Sequence, residues 1–577
     1  MSLAKRHSFL FPSFVTLVTL FITAVLMVIY LCGELRGNPD WLILPSAQYE
    51  MPDVLKAKGL EPLYLPKDKS GWDGQFYYEI ANDIFARTDA KEKVELAPYR
   101  YQRIGISLLS KVASIILGYD YVPVFVFYLT SVFLVAAAGF VFAAFLQRRG
   151  YSPFLALLWT LASGTQMTVM NGLPDAGADA LLLMALMALF SGKRWFYSVT
   201  ILVSILSREI YVLVPISVLL AEFWRYRKSS LSREAWRAFI MSGFPVFLFG
   251  AWHLYLYVHF ADMPSVDIVK EGLVSFVPLA SWGGFLLKLF AGGHPRFDPG
   301  MTSFFEAANL LSFLVLIAAC FWFLLRLFCR QSMQLLTDNV VYIRPVSISF
   351  LLVLSVYLFL GDTVMGHYTG YLKTISVCFA IIILCRVWCR KKISRALLTL
   401  LFFCFAVPQA TLFLRVSALP STQVQYSRIY AKEVDAKSVP LSTTCLSDLR
   451  YKLQFMKKEN FYKNPFFSHL FGRREFYVLR VRVKNTSAQS WPVARTVGSI
   501  KLIAYWRTRE TNLLVPAYTW PTMLQTPLNP GEERFMPLVI HVPSRMEKKK
   551  LTIKIIQQGC GDFLTIKDPN ALDIMWD

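Results

Sequence analysis

Gly71-Trp72-Asp73-Gly74-Gln75-Phe76-Tyr77-Tyr78 is a polar, glycine-flanked stretch set between long apolar runs. Whether it lies on a loop beside a membrane or inside a soluble core depends on the chain around it. Upstream, Lys5 and Arg6 precede an apolar run from about Phe9 to Leu31. That run resembles a signal peptide, but it is longer than an ordinary h-region and no clear small-residue cleavage site follows. It therefore reads as a first spanning helix with its N-terminus in the cytoplasm. Downstream, apolar runs recur to about residue 420. The 577 residues are 55% hydrophobic and 17% charged, whereas a soluble domain is about 25% charged. These features predict a polytopic α-helical membrane protein.

After the quoted stretch the runs are Tyr121–Leu146, Pro153–Met170, Ala176–Phe190, Trp195–Ser207, Tyr211–Phe223, Ala238–Val258, Ala307–Leu327, Pro345–Leu360, Tyr371–Ile383 and Ala396–Leu414. With the first run they predict about eleven transmembrane helices. Ile104–Leu117 reads as a further apolar helix, short for a span. Every second connection is basic, as in Gln147-Arg148-Arg149, Lys193-Arg194 and the loop from Arg225 to Arg237. This alternation accounts for the net charge of +22 through the positive-inside bias. No basic, aromatic-interleaved face of a nucleic-acid binder accompanies it. The same bias puts the loops carrying Asp73, Asp175, Glu209, His294 and His367 on the extracytoplasmic side, together with the C-terminus.

The quoted stretch belongs to the first of those loops, residues 33–103, which is long for a bundle connection and so a candidate for function. After Gly74, the spacing of Phe76, Tyr77, Ile80 and Ile84 predicts an amphipathic helix lying at the membrane surface. Asp73 then stands at its N-terminus, where it is either an N-cap or a general base at the mouth of an apolar bundle. Arg100 and Arg103 lie three residues apart. Their forked donors suit a phosphate, or else they hold the loop to anionic headgroups. Arg208-Glu209 stands between two apolar runs, either facing a cavity or pairing internally at a helix corner. Asp175 reads first as an N-cap after Pro174, and Asp179 points one turn further into the bundle. His294, Arg296 and His367 are candidate substrate contacts or ordinary loop residues. No metal-ligand cluster, Ser-His-Asp order, P-loop or dinucleotide fingerprint is found.

Past Pro420 the composition changes. Residues 419–470 read as a polar connector. Strands are predicted at Phe476–Val483, Ile500–Trp506, Phe535–Val542 and Leu551–Ile556, and they make residues 471–577 an antiparallel β-sandwich. Of the nine cysteines, only Cys445 and Cys560 fall outside the apolar region, and on the oxidising side they form a disulfide or remain two thiols. Asn485-Thr486-Ser487 is a glycosylation triplet or a hairpin turn.

Trp72-Asp73-Gly74-Gln75-Phe76-Tyr77-Tyr78-x-Ile80-Ala81 followed by Tyr99-Arg100-Tyr101-Gln102-Arg103 resembles the first loop of bacterial integral-membrane glycosyltransferases of the GT-C superfold. More distantly it is similar to the eukaryotic mannosyltransferases that build the GPI anchor. The likeness is in motif over about residues 70–110, and in architecture over residues 1–418. It implies a polyprenyl-phosphate-linked sugar donor, a glycan or lipid acceptor among membrane lipids, inverting transfer on the outer face of a bacterial inner membrane, and a loop carboxylate, here Asp73, as general base. Arg100, Arg103 and Arg208 would steady the leaving phosphate, with Glu209, Asp175, His294, Arg296 and His367 around the substrates. The family often carries an acidic pair in this loop. Here the nearest acidic neighbours are Asp68, Glu79 and Asp83, so a divalent ion is the one cofactor left open and none is required by the sequence. The rival readings are a transporter or flippase of lipid-linked glycans, and a non-catalytic envelope scaffold acting through its β-domain.

Overall fold

A computed structural model describes residues 3–33, 39–43, 52–58, 60, 73–228, 233–261, 273–290, 303–329, 342–365, 368–417, 444–460, 476–492, 498, 500–509, 514–515, 519–520, 522–524, 527–542, 549–557, 560 and 570–576. The chain divides into two units. The first comprises Met1–Ile29, Asp73–Phe297 and Ser303–Phe413, and the second Tyr30–Trp72, Asp298–Thr302 and Leu414–Asp577.

The first unit is helical. Among the described residues six helices are long and apolar enough to cross a membrane: Phe9–Leu31, Val124–Arg148, Phe239–Phe260, Ala307–Phe328, Gly370–Trp388 and Arg395–Phe413. The other runs form shorter pieces. Arg194–Ile205 has 12 residues and Ile343–Tyr357 has 15, fewer than the roughly 20 that a straight span needs. The run at 153–170 is broken into a 3-10 turn at Pro153–Ala156, one α-turn at Leu157–Thr160 and a helix at Ser163–Met170. Tyr211–Phe223 begins in a 3-10 turn at Glu209–Val212 and continues as the Leu213–Lys228 helix.

The centre of this unit is the Asp175–Phe190 helix, in which every residue is buried. It packs against Val124–Arg148, Ser163–Met170, Arg194–Ile205 and Tyr368–Trp388. A helix apolar on all sides finds its minimum by being surrounded, and the run Ala180–Phe190 has no polar face to offer water.

The Gly74–Asn82 helix departs from its sequence reading. It does not lie half-immersed at a surface, because every residue from Gly74 to Ala81 is buried. Its neighbours are Ala97–Tyr101, Gly105–Ile116 and Val124–Arg148. Glycine at 74 allows this approach, and glycine at 105 lets the Gly105–Ile116 helix close on the end of the Arg194–Ile205 helix. A Cβ on Gly74 would lie 2.0 Å from the carbonyl oxygen of Asn171, and one on Gly105 would lie 2.4 Å from that of Val203. The close contact is fastened by the Gly105 N–H, which donates to Leu206 O at 2.7 Å, and by Ser107 Oγ, which donates to Tyr77 O at 2.8 Å.

The second unit carries β1 Tyr451–Asn460, β2 Phe476–Asn485, β3 Ile500–Thr508, β4 Leu514–Val515, β5 Thr519–Trp520, β6 Thr522–Met523, β7 Glu533–His541, β8 Lys549–Gln557 and β9 Leu572–Trp576. They form one sheet in the order β1-β2-β7-β5 and another in the order β4-β3-β8-β9, with β6 on β3. Leu479, Val481 and Leu538 of the first sheet share one apolar cluster with Leu502, Trp506 and Ile553 of the second. The boundary expected at residue 471 is corrected, because β1 lies within the stretch read as connector. It alternates Tyr451 and Leu453 inward with Lys452 and Gln454 outward, a pattern that its later lysines obscure. A disulfide joins Cys445 and Cys560. Asn485 is buried, and its amide nitrogen donates to Gln489 O and Leu528 O at 2.8 Å each, so it serves the turn and not a glycan.

Candidate active site

The site is assembled from three chain segments of the helical unit that are far apart in sequence. The first is the turn at Asp73 with the short Ala97–Tyr101 helix. Asp73 precedes the first residue of the Gly74–Asn82 helix, yet its side chain makes no capping hydrogen bond. Instead Arg100 Nη2 donates to Asp73 Oδ1 at 3.1 Å and to Glu95 Oε2 at 3.1 Å. The guanidinium lies over the ring of Phe76 at 4.9 Å, an arrangement that fixes a cation by its face as well as by its edges. Arg103 lies over Tyr99 at 4.6 Å.

The second segment is the corner at Arg208-Glu209. The two do not pair with each other. Glu209 takes Arg103 in a two-pronged bond, with Nε to Oε2 at 2.7 Å and Nη2 to Oε1 at 2.5 Å, the fork geometry that a guanidinium and a carboxylate share. Arg208 turns inward to the third segment, the start of the Asp175–Phe190 helix. Its Nε lies 3.6 Å from Asp175 Oδ1, and its Nη1 lies 3.3 Å from Asp179 Oδ1. Tyr357 accepts from Arg208 at 3.3 Å, and Tyr211 donates to Asp179. Asp175 therefore faces an arginine.

These pairs form two layers. The outer carboxylates keep contact with water, Asp73 being 49% exposed and Glu209 27%. The inner group is dry, with the side chains of Arg208, Asp175 and Asp179 exposed by 7%, 8% and 2%. Desolvation opposes the charge on Asp73, but Arg100, Lys373 and Arg103 outweigh it and hold the carboxyl down at about 2. Desolvation also opposes the charge on Glu209, and there Arg103 wins and keeps the group below its usual range. Because Asp73 is half-exposed, solvent screens its pair with Arg100, and that pair is a device for placing charge more than a source of stability.

Each arginine expected to meet a phosphate thus already faces a carboxylate. The cation with no ion pair among the described residues of this site is Lys373, one turn inside the Tyr368–Trp388 helix. Its charge acts on both Asp73 and Asp175. Reading the runs for hydropathy alone passes over it. The signal was a single lysine in an otherwise apolar stretch, which is costly in a membrane and so worth singling out.

Asp83 serves a turn, accepting from the backbone N–H groups of Arg87 and Thr88 at 2.9 and 2.8 Å. Glu79 is buried and its carboxyl is pushed well above the usual range by desolvation. The described residues include no group of three or more His, Cys, Asp or Glu placed to hold a metal. His294, Arg296 and His367 lie outside the described residues.

No family model, curated protein or solved structure matches the chain.

Proposed function

We propose that the protein is a membrane glycosyltransferase that moves a sugar from a polyprenyl-phosphate donor to a glycan or lipid acceptor outside the cytoplasm. In this reading the helical unit is a GT-C-like bundle of about eleven crossings, the broken and short helices completing them. The two sheets form a β-sandwich in the same outer compartment of a bacterial inner membrane. One observation carries the reading. A half-exposed carboxylate that caps nothing, Asp73, sits against Arg100 in a cluster drawn from three loops, and the alternation of loop charge assigns all three to one face of the membrane.

The chemistry follows from the pairs. Asp73 takes the proton of the acceptor hydroxyl as its oxygen attacks the anomeric carbon. The bond from that carbon to the phosphate oxygen breaks, and the lipid phosphate leaves with the electron pair. Inversion results from a single attack opposite the leaving group. In the resting site Arg100 depresses the basicity of Asp73. A donor phosphate competes for the same guanidinium, and its arrival releases Asp73 to act as a better base. Lys373, with no ion pair to give up among the described residues, joins Arg103 and Arg208 in meeting the phosphate charge.

Asp73→Asn tests this with a labelled lipid-linked sugar. The variant inserts and folds, and transfer falls by about 10²–10⁴-fold, the range of a lost general base. A variant that transfers at the wild-type rate overturns the assignment.

A transporter of lipid-linked glycans is the second reading. It is favoured by the break at 161–162 within a run of spanning length and by the dry Arg208–Asp179 pair inside the bundle, both features of transporters. Under it, Asp73→Asn leaves translocation of the lipid-linked substrate intact and no glycosidic bond forms with either protein.

A further inference from the structure

Two turns far apart in sequence bring cations together at one end of the bundle. The first follows the Val124–Arg148 helix and carries Arg148 and Arg149. The second joins the Tyr368–Trp388 and Arg395–Ser417 helices and carries Arg390, Lys391, Lys392 and Arg395. Tyr151 ties one turn to the other, because its hydroxyl lies 3.3 Å from Arg386 O and 3.2 Å from Lys391 O. Arg386 donates in turn to Lys392 O and so stays within its own turn. None of the other cations has an ion pair among the described residues. All of them are exposed except Lys391, which is half-buried. Residues 121–174 and 363–432 contain no Asp or Glu to offset them.

Helix electrostatics explains part of this arrangement. The macrodipole favours a cation at a C-terminus, which accounts for Arg148, the last residue of its helix. It opposes Arg395, the first residue of the Arg395–Ser417 helix, where the free N–H groups of the first turn favour an anion. Arg390 holds a left-handed backbone, with φ at 48°, a conformation that glycine adopts at lower cost. Like charges gathered in one place repel, and an anion supplied from outside relieves them. We propose that the two turns together bind the headgroup phosphate of an anionic phospholipid. What adjoins the cations selects a lipid over a free phosphate. Leu398, Leu400 and Phe402, within about two turns of Arg395, are exposed large apolar side chains. They belong to a helix long and apolar enough to span, so acyl chains meet an apolar surface beside the charge that holds their headgroup. The alternation of loop charge assigns this end to the cytoplasm, whose leaflet carries a negative surface potential. The inference needs the bundle to lie in a membrane and does not rest on the transfer reading.

The test titrates cardiolipin, phosphatidylglycerol and phosphatidylcholine into the full-length protein in a neutral detergent, with bound lipid followed by native mass spectrometry. The anionic lipids bind, phosphatidylcholine does not, and added salt weakens the binding. Arg149→Gln/Lys391→Gln binds phosphatidylglycerol about tenfold or more weakly, as two cations lost beside an anionic headgroup require. Tyr151→Phe leaves every charge in place and binds it about threefold to tenfold more weakly, because the turns are no longer tied. Arg225→Gln/Arg227→Gln, which removes equal charge from a different basic loop, binds as the wild type does. Asp73→Asn also binds as the wild type does, so failure of the transfer reading leaves this result untouched. Equal binding of phosphatidylcholine, wild-type binding by Arg149→Gln/Lys391→Gln or by Tyr151→Phe, equal losses in the two double variants, or displacement of the lipid by inorganic phosphate would each overturn the proposal.

Discussion

Arg100 decides what Asp73 can do. With the guanidinium in place the carboxylate is an anion down to a pH of about 2, and a depressed group of this kind adds to stability above its unfolded value of about 3.9 and loses that contribution as the pH falls through the folded one. Arg100→Gln removes the largest charge lowering the group. Asp73 then rises toward its ordinary value, and the acid limb of kcat/KM moves up by about one to two pH units. A transfer profile across pH 3 to 8 measures this, and an unmoved limb in the variant would contradict the role given to Arg100. Much of this site was legible at the level of residue type and membrane side: Asp73, Arg100, Arg103, Arg208, Glu209 and Asp175 were all candidates from the sequence. Their partners were not. Arg103 and Glu209 are 106 residues apart, and no local periodicity tells a guanidinium in one loop which carboxylate of another it will meet. Lys373 was missed for a different reason, because the mean hydropathy of the Tyr371–Ile383 run absorbs a single charge.

At the scale of the element, the Gly74–Asn82 helix shows why a periodic pattern can mislead. The spacing of Phe76, Tyr77, Ile80 and Ile84 marked one apolar face, but Tyr78 and Glu79 between them are buried as well. Glycine at position 74 admits the Asn171 carbonyl so closely that no side chain fits between. Gly74→Ala therefore pushes the Asp73 turn away from the loop leading to Asp175. The substitution costs about 1–3 kcal/mol, as overpacking commonly does, and transfer falls although no charged group has changed. Thermal melting together with transfer kinetics checks both parts, and an alanine variant with wild-type melting and rate would show that this close approach is dispensable. The strands repeat the lesson in the other direction. β2, β3, β7 and β8 were expected near where they form, whereas β1 was hidden by Lys457 and Lys458, whose charge reads as connector although the strand pairs along β2.

At the scale of the molecule, the ionic groups of the bundle collect near helix ends. Arg194, the first residue of the Arg194–Ile205 helix, bonds Glu222 at 2.7 Å, and Arg208 lies just past the other end of the same helix. Apolar length separates the two, as the cost of charge in hydrocarbon requires. The alternating basic loops predicted this distribution, and the number of crossings was harder to read because hydropathy does not report where a run breaks. In the C-terminal unit, Cys445 and Cys560 close 115 residues into one covalent loop. Cys560→Ser lowers the stability of that unit by about 2–5 kcal/mol and changes the mobility of the wild-type protein on a non-reducing gel. Identical mobility and melting would place both cysteines outside any covalent role.

The central claim concerns Asp73 and the phosphate, and a structure of the full-length protein with a non-hydrolysable polyprenyl-phosphate sugar tests it most directly. The account predicts that Arg100 has left Asp73 for the phosphate, with Lys373 nearby and the freed carboxylate beside the anomeric carbon. A donor bound elsewhere, with the 3.1 Å pair between Arg100 and Asp73 intact, would contradict it.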